Sequence, residues 1–470
     1  MNHKELCYKS VAELGKLIRT GDLSPVELVQ AYLLRIAEVK TVLNSWITLL
    51  PERALKEAQK AEDDIIKGRY RGPLHGIPFG LKDVYKTKGI RTTYGCSAYD
   101  DYKPIEDAAT VVQLHRAGAI LLGKQNMHTL ALGPTGQNEY YGDMHNPWDP
   151  TRYTGGSSGG SASAVSAGEC AFAMGSDSGG SIRMPAGLCG VVGLKPTFGL
   201  LTTDGLMQIS SSMDHHGPMT RTVEDSALVL QVLTKNTPEN PHTRGKRLSI
   251  SLKRVKRNIK GIRIGVPKEF FEVPVDAEVH QAIRRALNVF RELGAVLKEV
   301  SWPLFQYAST ISSAILAVDA ADSLKPLILK RASQIDPLVR NRIASGFFIP
   351  AIRYLQAQKA RTKLNQQGYE LFRQIDLIAG PTLGVAAPKI GAKEVTISGS
   401  KIGVFKALPS FVRAFNLNGC PAISVPCGFT SQKLPIGLQL AGAPFAEEAV
   451  LQAAYAYEKA NPLYDQHPPI

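Results

Sequence analysis

Between Thr154 and Gly199 the chain reads TGGSSGGSASAVSAGECAFAMGSDSGGSIRMPAGLCGVVGLKPTFG, and no other segment limits the fold as strongly. Two glycine-flanked serine turns, Gly155-Gly156-Ser157-Ser158-Gly159-Gly160 and Ser178-Gly179-Gly180-Ser181, bracket an apolar helix followed by a buried strand. A helix-strand hairpin of that kind brings both turns to one edge of a sheet. A flexible linker would need polar neighbours, but this segment runs directly into AVSAGECAFAMG. A phosphate cradle would need the terminal Lys-Ser/Thr pair of a P-loop, or a GxGxxG followed by an acidic ribose ligand, and neither is present. The reading that remains is a catalytic surface.

The residue types at that edge suit acyl transfer. A serine hydroxyl is a poor nucleophile unless a neighbouring base takes its proton, and the developing oxyanion needs hydrogen-bond donors. The Gly179-Gly180-Ser181 turn supplies backbone N–H groups, because residues without a Cβ let the main chain approach a substrate; each such donor contributes about 3 to 4 kcal/mol to the transition state. None of the ten histidines stands in a nucleophile-elbow order with an acid. The candidate base is Lys82, presented at the end of a short apolar strand, Ile77 to Leu81, within GPLHGIPFGLKD. Full burial lowers a lysine pKa by roughly 3 to 5 units, which makes it a base near neutrality.

The rest of the chain reads as alternating α/β structure. Residues 10–39 have the apolar spacing of a helical hairpin, with Ser24-Pro25 opening its second helix. Helix-to-strand units are expected at Ala108–Arg116 with Ala119–Leu122 and at Ala277–Leu293 with Val296–Val300, and the stretch from Ala308 to Phe372 reads as helices. Of 470 residues, 44 % are apolar and 20 % charged, which excludes disordered, collagen-like and coiled-coil classes. The six cysteines form no CxxC pair, and His215-His216 on a loop lack further ligands, so neither a zinc site nor any other metal or cofactor is expected. No apolar run of membrane-spanning length and no signal-peptide core is seen, which points to a cytoplasmic protein with no membrane partner. The net charge of +14 is partly local: nine basic residues and no acid lie between Arg244 and Arg263. Without interleaved aromatics this stretch reads as a solvated face, and the balance is against a nucleic-acid partner.

The serine region resembles the signature of the amidase signature family of serine hydrolases. The likeness extends to GPLHGIPFGLKD around Lys82, NPWDPTRYTGG before Ser157, CGVVGLKPTFG, MDHHGPMTRTVED, and NLNGCPAISVPCGF with PIGLQLAG near the end. Lys82 lies 75 residues before Ser157, which lies 24 before Ser181, as the family's pattern requires. The resemblance implies one amidase signature domain over residues 1–470: a central, mixed, twisted β-sheet sandwiched by α-helices, with the helical hairpin outside. It also implies a Ser-cisSer-Lys triad. Ser181 would be the nucleophile, Ser157 the bridging serine on a cis peptide after Gly156, and Lys82 the neutral base, with the oxyanion held by N–H groups of Ser178, Gly179, Gly180 and Ser181. Ser158 would cap the following helix, and Asp177 with Arg183 would form a structural ion pair under the turn.

For the substrate, the neutral and apolar residues near the motif in sequence, Met127, Tyr140, Tyr141, Met207 and Ile209, favour a stand-alone hydrolase of small apolar or aryl amides, with esters and carbamates or urethanes chemically adjacent. Such an enzyme would work as a monomer or homodimer on a small molecule. The competing reading within the family is the glutaminase subunit of a glutamyl-tRNA amidotransferase. Against it stand Met184, where that subunit typically carries glutamine, and Leu200-Leu201-Thr202-Thr203, where an arginine-containing form is expected.

Overall fold

The strands that carry the serine turns lie inside one eleven-stranded sheet, seen in a computed structural model that describes residues 2–235 and 248–470. Across the sheet the order is Trp46–Leu49, Ile120–Gln125, Pro78–Lys82, Phe172–Asp177, His215–Thr220, Val192–Lys195, Ala422–Phe429, Pro435–Gly442, Leu377–Pro381, Arg263–Pro267 and Val296–Val300. Pro78–Lys82 runs parallel to both its neighbours, whereas Phe172–Asp177 and His215–Thr220 are antiparallel, so the sheet is mixed. Every residue of Pro78–Lys82, Ile120–Gln125, Leu377–Pro381 and Pro435–Gly442 is buried. Their mainly apolar sequences, interrupted only by Lys82, Lys124, Gln125 and Gln439, are what a sheet covered on both faces demands. The edge strand Val296–Val300 carries exposed Lys298 and Glu299, which discourage further pairing.

Flanking helices form where local signals ask for them. Val11–Thr20 and Pro25–Leu43 each open with a capping box, Ser10 with Glu13 and Ser24 with Glu27, and Pro25 occupies the first turn of the second. Gly21, at φ 81°, ends the first helix in the left-handed conformation. The helical region expected after Ala308 is present as Ala308–Ser323, Lys325–Arg331, Pro337–Gly346 and Ala351–Leu371.

Of the basic stretch, Arg244, Lys246 and Arg247 lie outside the described residues. In the remainder Lys253, Arg254, Lys256, Arg257 and Lys260 are exposed, as a solvated face requires, and the apolar residues between them anchor it. Ile250, Val255 and Ile259 are buried, while Arg254 pairs with Glu448 at 2.9 Å and Lys256 with Glu224 at 2.6 Å. All six cysteines are buried thiols. Among the described residues, no helix is long and apolar enough to cross a membrane.

Candidate active site

Lys82 ends its strand with its side chain fully buried, and Nζ donates to Ser157 Oγ at 2.7 Å and to Ser176 Oγ at 2.8 Å. Burial pushes its pKa down to about 7, and the nearby carboxylates of Asp177 and Asp214 only partly oppose that. The residues beyond Lys82 are held rigidly. Asp83 pairs with Lys124 at 2.9 Å, both side chains without exposure, and accepts from Thr93 N at 2.7 Å and Thr93 Oγ1 at 2.6 Å.

Ser157 follows a cis peptide bond from Gly156. A Cβ on Gly156 would lie 2.7 Å from Gly133 O and 2.8 Å from Gly136 N, so only glycine fits there. His128 N donates to Ser157 O at 3.1 Å and Ser158 N to Ser181 O at 3.2 Å, which binds the two serine turns face to face. Ser158 occupies the N-cap position of Gly159–Ser166 but does not cap it. Its Oγ donates instead to Ser176 O at 3.2 Å, and this ties the turn to the strand.

The second turn is built on the expected ion pair. Arg183 Nε and Asp177 Oδ2 are 3.0 Å apart with both side chains fully buried, and Arg183 also donates to Gln439 Oε1 at 2.8 Å and Asn416 Oδ1 at 2.7 Å. Burial alone would raise the Asp177 carboxyl, but Arg183 outweighs it and holds Asp177 below the usual carboxylate range. The same carboxylate accepts from Gly180 N at 2.6 Å and Ile182 N at 3.2 Å. This corrects one element of the expected oxyanion hole. The Gly180 N–H is aimed inward at Asp177, while no described residue accepts from the N–H of Ser178, Gly179 or Ser181. Asp214, whose pKa burial raises to about 6, stands behind Ser178 and accepts from Ile209 N at 2.7 Å and Ser210 N at 3.0 Å.

Ser178, Gly179 and Ser181 line a narrow neck together with Ala131, Met184 and Ile209. Through Leu132, Pro409, Arg342 and Arg413 the neck is continuous with a cleft of about 550 Å³ that also has His128, Leu338 and Phe405 in its wall. Of the substrate residues expected from sequence, Ile209 alone lines this space. Met127 is fully buried beside Asn138, Tyr141 donates to Asp100 at 2.5 Å, Tyr140 is 57 % exposed in a different cleft, and Met207 packs against the core. Residues that sequence reasoning missed are Ser176, His128, Arg342 and Arg413. Arg413 had a signal, a single charge within the apolar run Phe411-Val412-Arg413-Ala414-Phe415. Arg342, beside Arg340 on a polar helix, had none. His215 and His216 are spent on backbone carbonyls, with His215 Nδ1 at 2.6 Å from Met213 O and His216 Nε2 at 2.8 Å from Thr202 O.

The family model for amidases matches residues 27–451. Among curated relatives, the chain is 38 % identical to a glutamyl-tRNA(Gln) amidotransferase subunit of Moorella thermoacetica, over 99 % of both chains. Among solved structures it is similar to the corresponding glutamyl-tRNA(Gln) amidotransferase subunit of Thermotoga maritima, with a TM-score of 0.81 and 31 % identity over 97 % of this chain and 95 % of that one. It is also similar to a protein from a vestigial complex that reveals the origins of an s-triazine catabolic enzyme, with a TM-score of 0.92 and 31 % identity over 96 % of this chain and 99 % of that one. These likenesses overturn the expectation of a stand-alone hydrolase of apolar amides acting as a monomer or homodimer. Full-length curated relatives are amidotransferase subunits, and the cleft wall carries two arginines where an apolar lining was expected. Of the residues weighed against the amidotransferase reading, Met184 lines the neck beside Ser181, Thr202 and Thr203 are half-buried, and only Leu200 and Leu201 are plain packing positions. Met184 packs with Leu188 and Val412, and Leu200 and Leu201 belong to the main core.

Proposed function

The chain belongs to the amidase family, and within it we propose that this protein is the amide-hydrolysing component of a cytoplasmic amidotransferase of the glutamyl-tRNA(Gln) type. The observation that carries the chemistry is the buried Lys82–Ser157 hydrogen bond beside the Ser181 turn. In the proposed cycle Ser181 Oγ attacks the amide carbonyl and gives its proton to Ser157, while Ser157 passes its own to neutral Lys82. N–H groups of Gly179 and Ser181 receive the oxyanion. The relay then returns the proton to the leaving nitrogen, so that the C–N bond breaks, ammonia departs and an ester to Ser181 remains. Water, deprotonated through the same relay, adds to that ester and releases the acid. The partner subunits would take the ammonia to its acceptor. The full-length likeness to glutamyl-tRNA(Gln) amidotransferase subunits supports this second half of the reading.

The test has two arms. Ser181 is expected to be labelled by a fluorophosphonate in a manner lost in Lys82→Ala, as read by intact mass and peptide mapping. Combined with the other subunits of a related amidotransferase, ATP, an amide donor and glutamyl-tRNA(Gln), the chain is expected to support formation of glutaminyl-tRNA(Gln), and Ser181→Ala is not. Labelling without transfer would overturn the amidotransferase reading and leave the hydrolase; absence of labelling would overturn both.

A further inference from the structure

The helix pair Pro337–Gly346 and Ala351–Leu371 turns large apolar side chains to solvent. Phe347 and Phe348, in the turn between the helices, are 45 % and 83 % exposed, and Ile352 and Leu355, one turn apart on the second helix, are 60 % and 53 % exposed. Single scattered exposures need no explanation, but four such side chains so close along the chain form a patch. The opposite face of the second helix is already engaged with the core. Tyr354 OH donates to Asp319 at 3.1 Å, Arg361 Nε to Leu417 O at 2.7 Å, Asn365 Nδ2 to the same carbonyl at 3.0 Å and Tyr369 OH to Asn418 O at 2.6 Å, while Leu364 is fully buried. The turn is fixed as well. A Cβ on Gly346 would lie 2.0 Å from Ala317 O and 2.7 Å from Ala321 Cβ, so the first helix ends in close contact with Ala308–Ser323 and leaves no room there for a larger side chain.

The patch has a basic rim. From Pro337 to Tyr369 the sequence holds Arg340, Arg342, Arg353, Lys359, Arg361 and Lys363 and no acid. Arg342 lies in the cleft wall and Arg361 is tied to Leu417 O and Ser212. Arg353, Lys359 and Lys363 are exposed beside the patch, and among the described residues none of the three forms an ion pair.

What covers the patch must suit both its apolar centre and its cations. A second copy docking by the same face would set these cations against their own counterparts, in a chain of net charge +14. A nucleic acid would suit the cations, but Ile352 and Leu355 offer no ring on which bases stack. An amphipathic helix with carboxylates beside its apolar stripe suits both, as in helix pairs whose flanking charges select the partner. We propose that Phe348, Ile352 and Leu355 dock such a helix from another subunit of the amidotransferase, with Arg353, Lys359 and Lys363 facing its carboxylates. The inference rests on the amidotransferase reading above and adds where the chain is held and by what chemistry.

The experiment measures binding of the chain to the purified remaining subunits of a related amidotransferase by titration calorimetry and stopped flow, and maps contacts with a photo-crosslinker placed at position 348. Phe348→Ser with Ile352→Ser is expected to raise Kd about 10- to 100-fold, the loss of central apolar anchors, and to leave fluorophosphonate labelling of Ser181 unchanged. Arg353→Glu with Lys359→Glu should slow association about tenfold and flatten its dependence on salt. Cross-links should reach a helix of another subunit that carries aspartate or glutamate. Binding that Phe348→Ser with Ile352→Ser leaves unchanged would overturn the docking face, and binding that is indifferent to salt would overturn its charge. Cross-links that reach a second copy of the chain or glutamyl-tRNA(Gln) instead would overturn the proposed occupant; each of these outcomes leaves the amidotransferase reading in place. A wild-type chain that binds none of the subunits would overturn that reading, and the proposal with it.

Discussion

Lys82 Nζ and Ser157 Oγ are hydrogen-bonded at 2.7 Å in a place with no access to solvent. A charged ammonium there would have two serine hydroxyls as neutral acceptors and only partial compensation from the carboxylates of Asp177 and Asp214. The neutral amine is therefore favoured, and a lysine becomes able to accept a proton near pH 7.

Replacing Lys82 tests that role directly. Lys82→Met is expected to lower kcat for amide hydrolysis by about 100- to 10,000-fold, the usual contribution of a positioned base. Lys82→Arg should not rescue it, because a guanidinium stays charged and cannot take the proton. Single-turnover ammonia release, with circular dichroism to confirm folding, checks both.

The pH profile follows from the same burial. With Lys82 at about 7, its neutral form dominates above that value, so kcat/KM should be full on the alkaline side and fall through pH 7, about tenfold per unit below it. Asp214, at about 6, adds a second loss as it protonates and weakens as an acceptor for Ser178, Ile209 and Ser210. Asp214→Asn should remove the lower inflection and move the upper one to lower pH, because the Asp214 carboxylate favours the charged form of Lys82. A profile flat to pH 5 would rule out Lys82 as the base.

How far the site was legible from sequence depended on how local its determinants are. Glycine punctuation marked the two serine turns and the strand that ends at Lys82, because these are written into their own neighbours, whereas the expectation that Ser157 and Ser181 act with Lys82 came from the resemblance to the amidase signature family. The cleft wall was not legible by those means. Arg342 and Arg413 reach Ser181 from segments more than 150 residues away, whereas Tyr140 and Tyr141 are near the motif in sequence and line other parts of the molecule. The sheet was foreseen in kind by the α/β alternation, but its order depends on long-range pairing, such as Ala422–Phe429 with Val192–Lys195, that no local pattern announces.

Gly180 has φ 110°, and a Cβ there would lie 2.2 Å from Val412 Cγ2. Gly180→Ala combines positive-φ backbone strain with a steric clash, each costing on the order of 1 to 3 kcal/mol. The turn is expected to shift and kcat to fall by at least about tenfold, while Gly180→Ala with Val412→Ala should recover stability more than rate. Thermal melts and ammonia release on both variants separate the two effects.

Asp177 and Arg183 make the strongest stability prediction, because the pair is fully buried and each partner also organises backbone. Asp177→Asn would strand Arg183 as an uncompensated cation among Gln439, Asn416 and the Val412 carbonyl, and weaken the acceptor for Gly180 N and Ile182 N. Removing one member of a buried pair costs about 3 to 5 kcal/mol, so the urea midpoint should fall with little change in slope. Fluorophosphonate labelling of Ser181 should slow as well, since the turn that aims its N–H groups has lost its anchor. The double variant Asp177→Asn/Arg183→Met removes the stranded charge and should regain part of the stability, but not the labelling rate. Equal recovery of both would mean that the pair only holds the fold and does not shape the turn.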